Sequence, residues 1–126
     1  MSVARPDGGS GGIVIGLPGW VDDLVRDAPT SFDDDVSRMD LAIALSRASL
    51  QRGGAPFGAA VFAGPKLVAA GVNRVQASGL SFAHAEMIAL ARAQRVIGRS
   101  RVPINGPFAL VTSTEPCCQC LGALFF

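Results

Sequence analysis

Five residues of this chain fall in two short stretches that could do chemistry together. His84, the only histidine, stands two positions before Glu86 in "FAHAEM", and all three cysteines crowd into "TSTEPCCQC" as Cys117, Cys118 and Cys120. Zinc takes deprotonated sulfur or imidazole nitrogen in a tetrahedron. A Cys-x-x-Cys turn supplies two such ligands and one histidine a third. Three protein ligands leave the fourth position open for water, whose pKa a bound zinc lowers to about 7. Glu86, two residues from a ligand, could reach that water without ligating the metal. It could take a proton and pass it to a ring nitrogen and then to a leaving amine. That is hydrolytic deamination of an amidine-like carbon. Each signal alone has a plainer reading: a satisfied or surface histidine, a redox or buried Cys-x-x-Cys, a first-turn acid. Their coincidence, with a proline before the cysteines, favours the metal.

The elements that must position these groups follow from pattern. "MSVARPDGGSGG" is Gly- and Ser-rich, and residues 1–32 read as a flexible N-terminal segment, leaving 33–126 as the domain. "TSFDDDVSRMDLAIALSRASLQRGG" predicts a helix capped by Asp33 or a neighbouring Asp and ended by Gly53. Val36, Met39, Ile43 and Leu50 share one side of it and Leu41, Leu45 and Ala48 another, which predicts packing on two surfaces. "APFGAAVFA" and "KLVAAGVNR", parted by Gly64-Pro65, predict a β-hairpin. "AHAEMIALARAQRVIG" predicts a buried helix, "GPFALVTST" a strand, and Pro116 opens a last helix through "CCQCLGALFF". Both halves of the chemistry thus fall at helix N-termini, where the macrodipole favours thiolate. The order is that of a three-layer α/β/α domain around one sheet.

Composition narrows the setting. The 126 residues suit one domain, and 49% hydrophobic with 17% charged residues is a globular composition. No apolar run approaches the roughly 20 residues needed to cross a bilayer, and no signal peptide is evident. Three cysteines too close to pair with one another make no disulfide framework, which favours a reducing, cytoplasmic setting. Residues 1–40 carry eight Asp against three Arg, and residues 41–126 carry eight Lys or Arg against two Glu. The basic part could attract an anionic partner such as RNA, but a solvated Arg-bearing face is the preferred reading. The chain closes on Phe125-Phe126 inside an apolar helix, which predicts a C-terminal truncation or a partner covering the rings.

"HAE" followed by "PCCQC", with "GAPFGAAVF" before and "CLGAL" after, resembles the H-x-E…P-C-x-x-C signature of the zinc-dependent nucleobase and nucleoside deaminases, a general pattern with known roles. The resemblance runs from about residue 35 to the end. It implies His84, Cys117 and Cys120 as Zn2+ ligands, Glu86 as the catalytic proton shuttle, a mixed sheet and a homodimer. Ligation through Cys117 and Cys120 keeps the two-residue gap, so Cys118 is the odd thiol: its backbone N–H can face the metal water and its side chain is expected to fill core. Ala85 and Cys118 are then expected beside substrate. Asn73 matches a family asparagine that reads the base through its carboxamide, although Asn after a strand is also a common turn residue. Glu115 is expected in a structural hydrogen bond, and Phe57 and Phe82 in the core rather than the pocket. "TSTEPC" and "PFGA" are most similar to the purine branch, guanine deaminases and tRNA adenosine deaminases. Guanine is the expected substrate. The alternatives are adenosine in tRNA, cytidine, and a non-catalytic zinc-stabilised fragment.

Overall fold

In a computed structural model of the chain, which describes residues 12–102 and 106–126, two helices precede the first strand rather than one. Helix α1 (Gly19–Arg26) falls inside the segment expected to be flexible. It is an amphipathic run, "GWVDDLVR", with Asp22 in its first turn and Arg26 in its last, complementing the macrodipole. Val21 is fully buried, and Phe32 packs its ring 5.0 Å from that of Phe62. Within the segment read as flexible, residues 19–32 thus hold α1 and place Val21 and Phe32 in the core; residues 1–11 lie outside the described residues. A Gly-rich lead and a short acidic helix blur into one polar stretch when composition is averaged, which hid α1.

Helix α2 (Asp35–Gln51) starts where Asp34 Oδ1 accepts the backbone N–H of Ser37 at 2.7 Å, so Asp34 rather than Asp33 is the cap. Gly53 follows it at φ +80°, a left-handed conformation that suits glycine. Leu41, Leu45 and Ala48 are buried as expected, but Val36 and Leu50 stay 68% and 59% exposed. One stripe packs rather than two, because the sheet lies on one side of the helix only.

Strands β1 (Gly58–Ala63) and β2 (Lys66–Val72) form the predicted hairpin, and β3 (Phe108–Thr112) pairs with the other edge of β1. The order is β2-β1-β3, and both pairings are antiparallel. The mixed sheet is thus corrected to an antiparallel one among the described residues. The helical crossover from β2 returns β3 in the direction of β2, but one strand over, so its partner is the intervening β1.

Side-chain alternation in β1 builds two cores. Ala60 and Phe62 pack with Leu41, Leu45 and Val21, whereas Ala59 and Val61 pack with Ala85, Ala89 and Ala93 of helix α4 (Ala85–Ile97). The α/β fold is the three-layer arrangement expected, with α1 and α2 on one face and α4 on the other. Two glycines let the layers close. A Cβ on Gly58 would come 2.5 Å from the Ala42 carbonyl oxygen, and one on Gly71 2.7 Å from the Ala85 carbonyl oxygen. The single turn α3 (Val75–Ser78), not anticipated, follows β2, and helix α5 (Cys118–Phe125) closes the chain. None of the helices described is long and apolar enough to cross a membrane.

Candidate metal centre and its pocket

The layer contacts bring two helix N-termini together. His84 is the N-cap residue of α4 and Cys117 that of α5. His84 Nδ1 lies 3.5 Å from Cys117 Sγ and 3.7 Å from Cys120 Sγ, and the two sulfurs are 3.7 Å apart. Tetrahedral zinc, with Zn–S about 2.3 Å and Zn–N about 2.0–2.1 Å, demands sulfurs about 3.8 Å apart and N···S about 3.6 Å. The triangle therefore has the size of one face of a zinc tetrahedron. Residues separated by more than thirty positions could meet this way by accident; matching all three edges is the stronger observation.

The electrostatics agree. The backbone N–H of Cys120 holds the Cys117 thiol below its ordinary pKa. Burial first, and then the neighbouring Cys117 and Glu86, push the Cys120 thiol up to about 12. A buried thiol crowded by negative charge is one that a divalent cation deprotonates, because the cation offsets both effects. Cys120 is 1% exposed, so its sulfur has little recourse to water.

Beside the triangle is a cavity of about 260 Å³ lined by Phe57, Asn73, His84, Glu86, Thr114, Glu115 and Cys117. Glu86, in the first turn of α4, thus shares a cavity with two members of the triangle. Asn73 Oδ1 accepts the backbone N–H of Val75 at 3.1 Å, a turn bond that leads into α3. This engages its acceptor and leaves its two N–H donors for the cavity. One side chain thus makes the turn bond after β2 and lines the cavity.

Other expectations shift. Ala85 is 1% exposed and its side chain belongs to the core between α4 and the sheet rather than to the cavity lining. Cys118, the first residue of α5, is exposed and does not fill core. Glu115 lines the cavity with no side-chain hydrogen bond among the described residues, where a structural bond was expected. Phe57 lines the cavity at 38% exposure and Phe82 is 40% exposed, so neither is a core ring. Thr114 was missed. Its place three residues before Cys117, in the turn that delivers the thiols, was the available signal.

Likeness to known proteins bears on this geometry. The family described as the cytidine and deoxycytidylate deaminase zinc-binding region matches residues 33–125. A guanine deaminase of Bacillus subtilis (strain 168) is 38% identical over 73 residues, which are 58% of this chain and 45% of the relative. The solved guanine deaminase from Nitrosomonas europaea superposes with a TM-score of 0.81 at 36% identity, over 90% of this chain and 64% of its own. A structure of tRNA deaminases that perform A-to-I editing at the wobble position gives 0.65 at 28%, over 71% and 66%. The chain spans about half the length of the Bacillus relative and under two thirds of the Nitrosomonas one. A matching zinc-binding region over most of the chain, with His84, Cys117 and Cys120 drawn to one point inside it, makes this chain a member of the cytidine and deoxycytidylate deaminase family.

Proposed function

We propose that the chain deaminates a purine hydrolytically, with guanine as substrate. The observation that carries this reading is the convergence of the His84, Cys117 and Cys120 ligand atoms within 4.8 Å of one another, with Glu86 in the adjoining cavity. His84, Cys117 and Cys120 would hold Zn2+, which when bound supplies Lewis-acid activation of water. Glu86 has the reach to accept a proton at its carboxylate and return it to a ring nitrogen and then to the departing amine. Asn73 offers its N–H donors to an acceptor on the base, and Phe57 offers a ring against which a flat heterocycle can lie. Thr114 and Glu115, at the mouth of α5, close the same cavity. Guanine is favoured because both guanine deaminases reported above share this segment at 36–38% identity.

Adenosine in tRNA is the second reading, favoured by the likeness to the wobble-editing enzymes. Cytidine as substrate and a non-catalytic zinc-stabilised domain are the remaining alternatives. The reading extends to a homodimer, supported by the exposed apolar residues Leu121, Leu124 and Phe125 of α5 and the adjoining Phe126. It also extends to a cytoplasmic setting, supported by three free thiols, two of them exposed. An ammonia-release screen of zinc-loaded protein over guanine, adenosine-bearing tRNA and cytidine tests the assignment. Release from guanine alone is expected. Release from tRNA or cytidine in its place reassigns the substrate, and none from any leaves the non-catalytic domain.

A further inference from the structure

Most aspartates of the acidic N-terminal part are engaged locally. Asp22, Asp23 and Asp35 meet arginines, and Asp33 and Asp34 meet serines. Among the described residues, Asp27 and Asp40 have neither an ion pair nor a side-chain hydrogen bond. Both line one groove of about 570 Å³ between α1 and α2, and Asp23 adds a third carboxylate there. Much of the remaining lining is apolar, from Trp20, Leu24, Ala28 and Leu41. One guanidinium is already seated in it: that of Arg52, its carbon 4.7 Å from the centroid of the Trp20 ring. Three carboxylates to one guanidinium leave the lining negative, so it favours further cations carried on an apolar surface.

The α4 face of the sheet offers such a surface. Arg95 and Arg99, at the end of α4, are exposed and form no ion pair among the described residues. Arg95 lines a cavity with Ile13 and Val14, and both of these, like Val96, are exposed apolar side chains. Basic charge and uncovered apolar area thus lie together. The groove and this patch supply what the other lacks. They cannot meet within one molecule, because α1 and α2 pack on one face of the sheet and α4 on the other.

We infer that the patch of Ile13, Val14, Arg95 and Arg99 on one copy docks into the α1–α2 groove of a second copy, joining copies head to tail. The contact joins unlike surfaces, so every copy added still presents a free groove or patch until a ring closes. It is independent of the substrate reading and distinct from a two-fold contact through α5, which joins like surfaces.

Two charge-reversed variants test this: Asp27→Lys/Asp40→Lys alters the groove, and Arg95→Glu/Arg99→Glu the patch. All four side chains are exposed, so both variants should keep the circular dichroism of the parent. In sedimentation velocity at low salt the parent should gain mass with concentration. That gain should vanish in about 1 M salt, where the screening length falls to about 3 Å. Each variant alone should associate at least about tenfold more weakly, because like charges then face each other across the contact. An equimolar mixture of the two should recover the association of the parent, since it pairs the intact groove of one variant with the intact patch of the other. The α5 surface is the same in every sample, so the contrast between the mixture and its separate components reports the head-to-tail contact alone. Trp20, the only tryptophan, lines the groove, and its emission should shift on mixing. Where a reversal disturbs folding, Asp27→Asn/Asp40→Asn and Arg95→Gln/Arg99→Gln run the first comparison, each expected to weaken association to a smaller degree. A parent that gains no mass with concentration overturns the inference, as does association that ignores both salt and the substitutions, or a mixture no stronger than its components. A shift of Trp20 emission with an oligo-arginine peptide but not on mixing overturns it too, and gives the groove to a different basic partner.

Discussion

Glu86 and the three cysteines separate metal binding from turnover one residue at a time. Glu86 shares a cavity with His84 and Cys117 but is not a member of the ligand triangle. Glu86→Gln should therefore keep close to one zinc per chain by atomic absorption while ammonia release falls by about 10²–10⁴-fold, the usual worth of a positioned acid–base group. Turnover near the parent rate would place proton transfer on another group. The cysteines make a sharper contrast because two neighbours of the same type differ only in direction. Cys117 Sγ lies 3.5 Å from His84 Nδ1, and Cys118, the next residue, is exposed and outside the triangle. Cys118→Ser is expected to retain zinc and Cys117→Ser to lose it. Equal retention by both would break the assignment of ligands.

At the scale of elements, the tolerances lie where helices cross strands. Gly71 lets α4 approach β2 so closely that a methyl group there meets the Ala85 carbonyl oxygen and the Ala89 nitrogen at 2.7 Å each. Backbone cannot swing aside as a side chain does, so Gly71→Ala should destabilise the fold by about 1–3 kcal/mol, read from the urea midpoint. An unchanged midpoint would mean that the α4–β2 contact is looser than described. Helix α2 carries a pH dependence of definite sign. Hydrogen bonds from Ser37 hold the Asp34 carboxyl below its ordinary pKa. The cap's contribution is therefore present above the unfolded-state value, about 3.9, and lost as pH falls through the lower folded one. Asp34→Ala should remove that acid-range step in helical circular dichroism. Most of this layer was legible in the sequence. Gly64-Pro65 announced the hairpin, the three-Asp run the start of α2, and "HAE" and "PCCQC" the facing helix ends. Hidden was whatever depends on the third dimension. Averaged composition concealed α1, and periodicity marked two apolar stripes on α2 without saying that only the Leu41, Leu45 and Ala48 stripe meets the sheet. Whether Phe57 joins the core or the cavity, and that Asn73 both makes the turn bond before α3 and lines the cavity, follows from strand pairing rather than local pattern.

Across the whole molecule the metal site is also a cross-link. The sheet and the α2 and α4 layers bury an apolar core of their own, whereas Cys120 is the only residue of α5 that is buried. Beyond it, the one side-chain bond from α5 to the rest of the fold is Gln119 donating to the Phe82 carbonyl, in the turn before α4, at 3.2 Å, among the described residues. Leu121, Phe125 and Phe126 face outward, at 54%, 83% and 80% exposure. Helix α5 is thus attached to the body mostly by the ligands that zinc would join. Chelation should act locally: amides of α5 should lose hydrogen-exchange protection while those of α4 and β1 keep theirs, because regions open according to the contacts they bury. Saturating zinc at 100 to 1,000 times its dissociation constant contributes about 3–4 kcal/mol against that opening, enough to change α5 exchange more than a hundredfold. If chelation instead unprotects α4 and the sheet together with α5, the domain unfolds as one cooperative unit and the metal supports the whole core. If it changes nothing in α5, the helix is held by packing alone and His84, Cys117 and Cys120 do not share an ion.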